Sequence, residues 1–443
     1  MRYYSTRDTR QEWPVTLDAA RAAGLASDGG LFVPERLPRF KVADFAGADT
    51  LPAVAERLLA PFFAGSALAS QLGAICREAL DLPLPIVRLP RIHGDVSLLE
   101  LFHGPTAAFK DFAARFLAAC LARLRRRDDP LKTVLVATSG DTGGAVAAAF
   151  HQRPGFRVVI LYPDGRVSKR QAHQLGAFGD NVHALRVAGS FDDCQRMVKE
   201  VLADRPYASQ HALTSANSIS LGRLLPQMAY YVYAALRLAR AGQSHSPMLE
   251  APPVLVVPTG NLGNALAAAL VREMGLPLGA IHFATNANRT LPDYFAGHEY
   301  RGRASVATLA NAMDVGDPSN FERLAWFFRG RDLRHAGIHA HGVDDATIRA
   351  RIVAGEGDWQ QLWCPHTACA VEVVERLRVG GCQDPLLLVA TAHPAKFDEV
   401  VEPLVGHPVP VPPALGALLA RPTHSEPLTA DAVALKARLE QGW

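Results

Sequence analysis

Lys110 is the residue with most chemistry to offer. It follows His103-Gly104-Pro105-Thr106-Ala107-Ala108-Phe109 and opens a helical pattern over 112–124. In that pattern Phe112, Phe116, Leu117, Cys120, Leu121 and Leu124 share one face. Gly104-Pro105 forces a turn, and Thr106 is the expected N-cap. A helix N-terminus and the apolar neighbours Phe109 and Phe112 both disfavour the ammonium form. A lysine so placed is suited to forming a Schiff base with a carbonyl. A lysine laying its stem along a surface helix would satisfy the same residues. Composition favours the chemical reading. Of 46 Lys and Arg residues, only positions 41, 110, 132, 169, 199, 396 and 436 are lysine. Arginine supplies the surface charge, so a lysine within an apolar run stands out.

Three loops offer anion sites. Gly260-Asn261-Leu262-Gly263-Asn264 separates a strand pattern from an alanine-rich helix pattern. Glycines there admit close backbone approach, and free N–H groups at a helix start attract phosphate. A plain strand–helix turn would look the same. The stretch fits neither G-x-x-x-x-G-K-[ST] nor G-x-G-x-x-G, which counts against nucleotide P-loops and dinucleotide folds. Thr138, Ser139, Gly140, Asp141, Thr142, Gly143 and Gly144 bring hydroxyls to another helix start. They suit a carboxylate or phosphate, or an N-cap with a tight turn. Asn217, Ser218 and Arg223 add donors and a cation that capping alone does not require.

The elements that must carry these loops alternate. Strand patterns at 134–137, 158–162, 182–187, 254–257 and 386–390 are interleaved with helical ones, which predicts an α/β fold with parallel sheets covered by helices. Ligands in such folds sit beyond the carboxyl ends of the strands, where 138–144, 259–264 and 391–394 fall. Residues 1–90 read as a small N-terminal domain with helices over 51–63 and 66–80, serving packing or acting as a lid. Residues 91–443 form the catalytic region, with two α/β subdomains, the smaller around 130–230.

At 443 residues the chain exceeds one simple core. A net charge of +3 is too small to argue for nucleic acid, and the basic run over 123–127 suits a helix C-terminus. Six scattered cysteines form no metal motif and no disulfide framework. The opening residues lead into no apolar run and no segment reaches membrane-spanning length, so the expectation is a cytoplasmic protein with no membrane partner.

A Schiff-base lysine, a phosphate loop and a second anion loop together suggest pyridoxal 5'-phosphate. The stretch Phe102-His103-Gly104-Pro105-Thr106-Ala107-Ala108-Phe109-Lys110-Asp111-Phe112 resembles the cofactor-lysine motif of threonine synthases. Similar likenesses are carried by 138–143, 215–218, Asn311-Ala312-Met313-Asp314-Val315, Thr391-Ala392-His393-Pro394-Ala395-Lys396-Phe397 and the opening Tyr3-Tyr4-Ser5-Thr6. The match spans nearly the whole chain. It implies the fold-type II arrangement, like the β chain of tryptophan synthase, behind an N-terminal domain.

The resemblance also implies roles. Lys110 would hold pyridoxal phosphate and shuttle protons, and Gly260, Asn261, Leu262, Gly263 and Asn264 would bind its phosphate. Thr391 would hydrogen-bond the pyridine nitrogen. Thr138, Ser139, Gly140, Asp141 and Thr142 would bind the substrate, 139–142 at its carboxylate, with Asn217, Ser218 and Arg223 as candidates for its phosphate. Leu262 departs from the phenylalanine common at that position. His366 is expected to be structural. The implied reaction turns O-phospho-L-homoserine and water into L-threonine and phosphate, with no metal, in a monomer or homodimer. A related phospho-lyase releasing 2-oxobutyrate and a non-catalytic pyridoxal-phosphate- or amino-acid-binding protein are the alternatives.

Overall fold

Runs such as Val134-Leu135-Val136 and Leu386-Leu387-Leu388-Val389 become strands buried on both faces, as continuous apolar sequence requires. The computed structural model describes residues 1–217, 219–245 and 251–442. Strands β1 (Tyr3–Ser5) and β2 (Phe32–Pro34) pair antiparallel near the N-terminus. Next come β3 (Ile86–Arg88), β4 (Val96–Glu100), β5 (Lys132–Ala137), β6 (Phe156–Pro163), β7 (Val182–Ala188) and β8 (Leu213–Ser215). β9 (Val254–Pro258), β10 (Ile281–Thr285), β11 (Ile338–Gly342), β12 (Leu386–Ala390) and β13 (Glu426–Thr429) complete the set.

Two larger sheets result. One has the order β11-β10-β9-β12-β4-β3 and the other β13-β7-β6-β5-β8. All their pairings are parallel except β3 with β4. The order of the first sheet matters most. β4, β12 and β9 are neighbours, so the loops that follow them open side by side. β5 and β8 are likewise neighbours in the second sheet. The parallel α/β fold expected from the sequence is present, with a small N-terminal unit.

Helices cover the sheets. Lys110–Leu124 buries Phe112, Phe116, Leu117, Cys120 and Leu121, the face its spacing foretold. Asp141–Phe150 lies close on the second sheet because Gly143 has no side chain; a Cβ there would sit 2.9 Å from Ile160 Cγ2. The N-terminal unit shares one continuous core with the first sheet's helices. Phe63 meets Phe116 edge-to-face at 6.0 Å, and the Tyr3 hydroxyl donates to Phe62 O at 2.7 Å. Arg323 adds a buried tie, donating to Phe32 O at 3.0 Å and Ile219 O at 2.5 Å.

Three local expectations shift. Over 66–80 the α-helix is only Leu72–Leu80, after a 3-10 turn at Ala69–Gln71. The Asp18 carboxylate captures the Ser66 hydroxyl and the Ala67 N–H, which delays the helix. Thr106 does not cap its helix. Its hydroxyl donates to Asp111 at 2.6 Å, and Phe109 occupies the cap position without a side-chain bond. The smaller sheet also recruits β13 from beyond residue 230, held by Arg438 on Glu426 at 2.7 Å.

Candidate active site

The turn before Lys110 is braced from inside. Asp111 accepts from the Thr106 N–H at 2.9 Å and from its hydroxyl. Its outer side is sewn to the loop after β12. Phe109 N–H donates to Thr391 O at 2.8 Å, and His393 N–H donates to Ala107 O at 3.0 Å. Ala107 adopts φ +54° to allow this. Lys110 is thus delivered beside Thr391, whose hydroxyl makes no side-chain hydrogen bond among the described residues.

Lys110 Nζ lies 4.7 Å from the Phe109 ring centre and 4.0 Å from Asp141 Oδ2. Burial lowers its pKa to about 8; Asp141 pulls upward, while Lys396 and Arg223 push it further down. An amine in that range keeps a useful fraction of free base near neutrality.

The glycine loop follows β9. A Cβ on Gly260 would lie 2.7 Å from Met313 Cα, so the loop packs directly on the turn Asn311–Met313. Asn264 spends its side chain on the loop itself, accepting from the Thr259 hydroxyl at 2.8 Å and donating to Pro258 O at 3.0 Å. Asn261 Oδ1 accepts from Ser319 N–H at 2.6 Å. The loop lines the cavity at the start of Gly263–Glu273, where the first N–H groups of a helix have no intrahelical acceptor. Leu262 takes the left-handed conformation, φ +62°, with its side chain wholly buried.

In the loop after β5, Thr138 Oγ1 accepts from Gly140 and Gly143 N–H at 3.0 and 2.8 Å, closing the turn. Gly140 has φ +126°, and a Cβ would meet the Gln171 amide. Ser139, Asp141 and Thr142 line the cavity; Thr138 and Gly140 shape the loop behind it. The Asp141 carboxylate is occupied by Lys396 Nζ at 2.7 Å and Gln171 Nε2 at 3.0 Å. Lys396 and Lys110 hold Asp141 ionised far below the usual carboxylate range despite burial.

Asn217 and Arg223 reach the same cavity from beyond β8. Ser218 lies outside the described residues. Arg223 is buried, donates to Ala216 O at 2.6 Å, and forms no ion pair among the described residues. Among the described residues its Nε has no hydrogen-bond partner, and burial lowers its pKa to about 10. His366 is also in the cavity wall. Its Nε2 accepts from Ala312 N–H at 3.1 Å, pinning the turn that supports Gly260. Burial lowers its pKa to about 4, so it is neutral.

The cavity therefore gathers Lys110, Gly260, Asn261, Leu262, Gly263, Asn264, Thr391, Ser139, Asp141, Thr142, Asn217 and Arg223. Sequence reasoning missed the work of Lys396, Gln171 and Asp111. Lys396 stood inside a motif already singled out, but its partner is distant in the chain.

These residues fit pyridoxal phosphate on physical grounds. A deprotonatable lysine, a main-chain anion site too tight for a side chain at Gly260 and an unengaged hydroxyl at Thr391 meet in one cavity. The family model described as "Pyridoxal-phosphate dependent enzyme" matches residues 79–391. Models for the threonine synthase N terminus and C-terminal part match 2–80 and 367–438. Threonine synthases from Serratia marcescens and Escherichia coli (strain K12) are each 36% identical to the chain, covering 97% and 98% of both sequences respectively.

The chain belongs to the threonine synthase family.

The crystal structure of the Escherichia coli threonine synthase superposes with a TM-score of 0.90 at 34% identity, covering all of both chains. A pyridoxal-phosphate-bound threonine synthase from Brucella melitensis gives 0.86 at 32%, covering 100% of this chain and 99% of that one. Membership of the threonine synthase family makes the chain a pyridoxal-phosphate-dependent lyase. Among the described residues no helix is long and apolar enough to cross a membrane.

Proposed function

We propose that the chain converts O-phospho-L-homoserine and water to L-threonine and phosphate, the last step of threonine biosynthesis. The observation that carries this reading is the convergence of Lys110, the Gly260–Asn264 main chain and Thr391 from the ends of three adjacent strands.

Bound pyridoxal phosphate supplies an electron sink for charge developing beside the substrate's amino group. The rest falls to the chain's own residues. Lys110 would hold the cofactor through its Nζ and, as a free amine, would take the proton from the substrate's Cα. It then serves the later proton movements at Cβ and Cγ, and returns a proton to Cα after water has added at Cβ. The N–H groups of 260–264 bind the cofactor phosphate. The Thr391 hydroxyl would serve the ring nitrogen as a neutral hydrogen-bond partner. Ser139, Thr142 and the N–H groups opening Asp141–Phe150 receive the substrate carboxylate. The Asp141 side chain, committed to Lys396, takes no part in that contact. Arg223 and Asn217, with Ser218, receive the substrate phosphate, and Arg223 is the stronger because it forms no ion pair among the described residues.

The division at about residue 90 and the cytoplasmic setting, as a monomer or homodimer, belong to the same reading. Free cysteines throughout agree with a reducing compartment.

The test is product analysis of purified protein with pyridoxal phosphate and O-phospho-L-homoserine. Equal amounts of phosphate and threonine support the synthase. Phosphate with 2-oxobutyrate would move the reading to a phospho-lyase. Cofactor binding without phosphate release would mean a different substrate or a non-catalytic binder.

A further inference from the structure

Lys396 has no task in that reaction. It stands in the turn Pro394–Phe397 after β12, and only 1% of it is exposed. Its Nζ lies 2.7 Å from Asp141 Oδ1 and donates to Thr106 O at 2.8 Å. The other carboxylate oxygen of Asp141 faces Lys110 Nζ at 4.0 Å. One buried carboxylate thus sits between the Nζ atoms of two lysines. Such a cluster is poor value as a stability device, because apolar residues of similar volume would avoid the desolvation cost. It suits the control of charge at Lys110.

We propose that Lys396 is a positioning residue: it engages the Asp141 carboxylate so that Lys110 remains available as a free amine. Lys110 needs its nitrogen lone pair twice in the function proposed above, to capture the cofactor aldehyde and to accept the substrate's proton. Capture joins Nζ to the aldehyde carbon with loss of one water. With Lys396 removed, Lys110 would be the ammonium group left beside Asp141, and their pairing would hold the proton on Nζ.

The cations around Lys110 agree in sign, and Asp141 opposes them. Arg223, from the helix Leu221–Leu224, pushes protons off Lys110, as does Lys396. His366, at the start of Pro365–Val379, is neutral. Asp111, next in the chain, is turned onto Thr106. Asp141 alone among the named causes favours the proton.

The test uses the full chain stripped of cofactor. Wild type, Lys396→Met, Lys396→Arg and the double variant Lys396→Met with Asp141→Asn are mixed with pyridoxal phosphate from about pH 6 to about pH 10. Covalent capture is followed by absorbance, and acylation of Lys110 is followed by peptide mass spectrometry. Lys396→Met is expected to capture about tenfold more slowly at pH 7, its profile displaced upward by about one pH unit. Lys396→Arg should keep the wild-type profile, and the double variant should return towards it. An undisplaced Lys396→Met profile overturns the proposal and leaves Lys396 a structural clip. So does a Lys396→Arg profile displaced as far as that of Met.

If Lys396→Met does not fold, Asp141→Asn alone must displace the profile downward, and no displacement overturns the idea. Wild-type protein that captures the cofactor with this pH dependence but makes no threonine would sink the synthase reading and leave this one standing.

Discussion

The main-chain N–H of Phe109 donates to the carbonyl of Thr391 at 2.8 Å. That bond joins the residue before Lys110 to Thr391, and both Lys110 and Thr391 line the same cavity. Leu101 N–H on Ala390 O at 2.9 Å and the pairing of β4 with β12 extend the same seam. Sheet register therefore sets where Lys110 stands relative to Thr391. Thr391→Val keeps the shape and removes the hydroxyl. It should leave cofactor capture intact and lower turnover about tenfold, read as kcat on the loaded protein.

Lys110→Ala should abolish covalent attachment and reduce threonine formation at least about a thousandfold. Absorbance of the protein after incubation with cofactor, together with product assay, checks both. Threonine produced at near wild-type rate would end the assignment of Lys110.

Gly260→Ala places a methyl 2.7 Å from Met313 Cα, so one of two packed backbones must move. Overpacking of this kind costs about 1–3 kcal/mol, which predicts cofactor affinity weakened roughly 10- to 100-fold with the fold retained. Equilibrium dialysis measures the first and far-ultraviolet circular dichroism the second.

Arg223→Gln should raise KM for O-phospho-L-homoserine by about tenfold or more with a smaller change in kcat, as expected when a charge binds ground state and transition state alike. An unchanged KM in steady-state assays would remove Arg223 from the substrate site.

The buried histidines predict acid sensitivity. Burial lowers His366 to about 4 and His282 to about 3; His282 also shares a hydrogen bond with His341 at 2.9 Å. In the unfolded chain imidazole titrates near 6.5, so below that pH the unfolded state binds more protons. Stability should be fully present above about pH 6.5 and fall as pH drops towards the folded values. Denaturant melts across that range check it, and His366→Asn should remove about 3 kcal/mol of that pH-dependent loss.

Much of this was legible one segment at a time. The spacing of Phe112, Phe116 and Cys120 marked a buried helix face, and Leu386-Leu387-Leu388 marked a buried strand, because burial imposes periods of 3.6 or continuous apolarity on neighbouring residues. β10 and β11 escaped notice: Ile281-His282-Phe283 and Ile338-His339-Ala340 put imidazoles where strand patterns call for aliphatic residues. Their histidines stack on one another across the ladder, at 4.7 Å between His282 and His339. β13 is short and lies at a sheet edge, where pairing needs little apolar pattern.

By itself, then, the sequence marked many of the strands and helices and brought forward Lys110 and the loops over 138–144 and 259–264 as candidates. Those depend on near neighbours: turn residues, helix starts and local apolar density. Only the tertiary structure decided that β4, β9 and β12 lie side by side, and that Asp141 pairs with Lys396. Strand order and buried ion pairing join residues more than a hundred positions apart. Their partners are chosen by the free energy of the whole packed core, which no local pattern records.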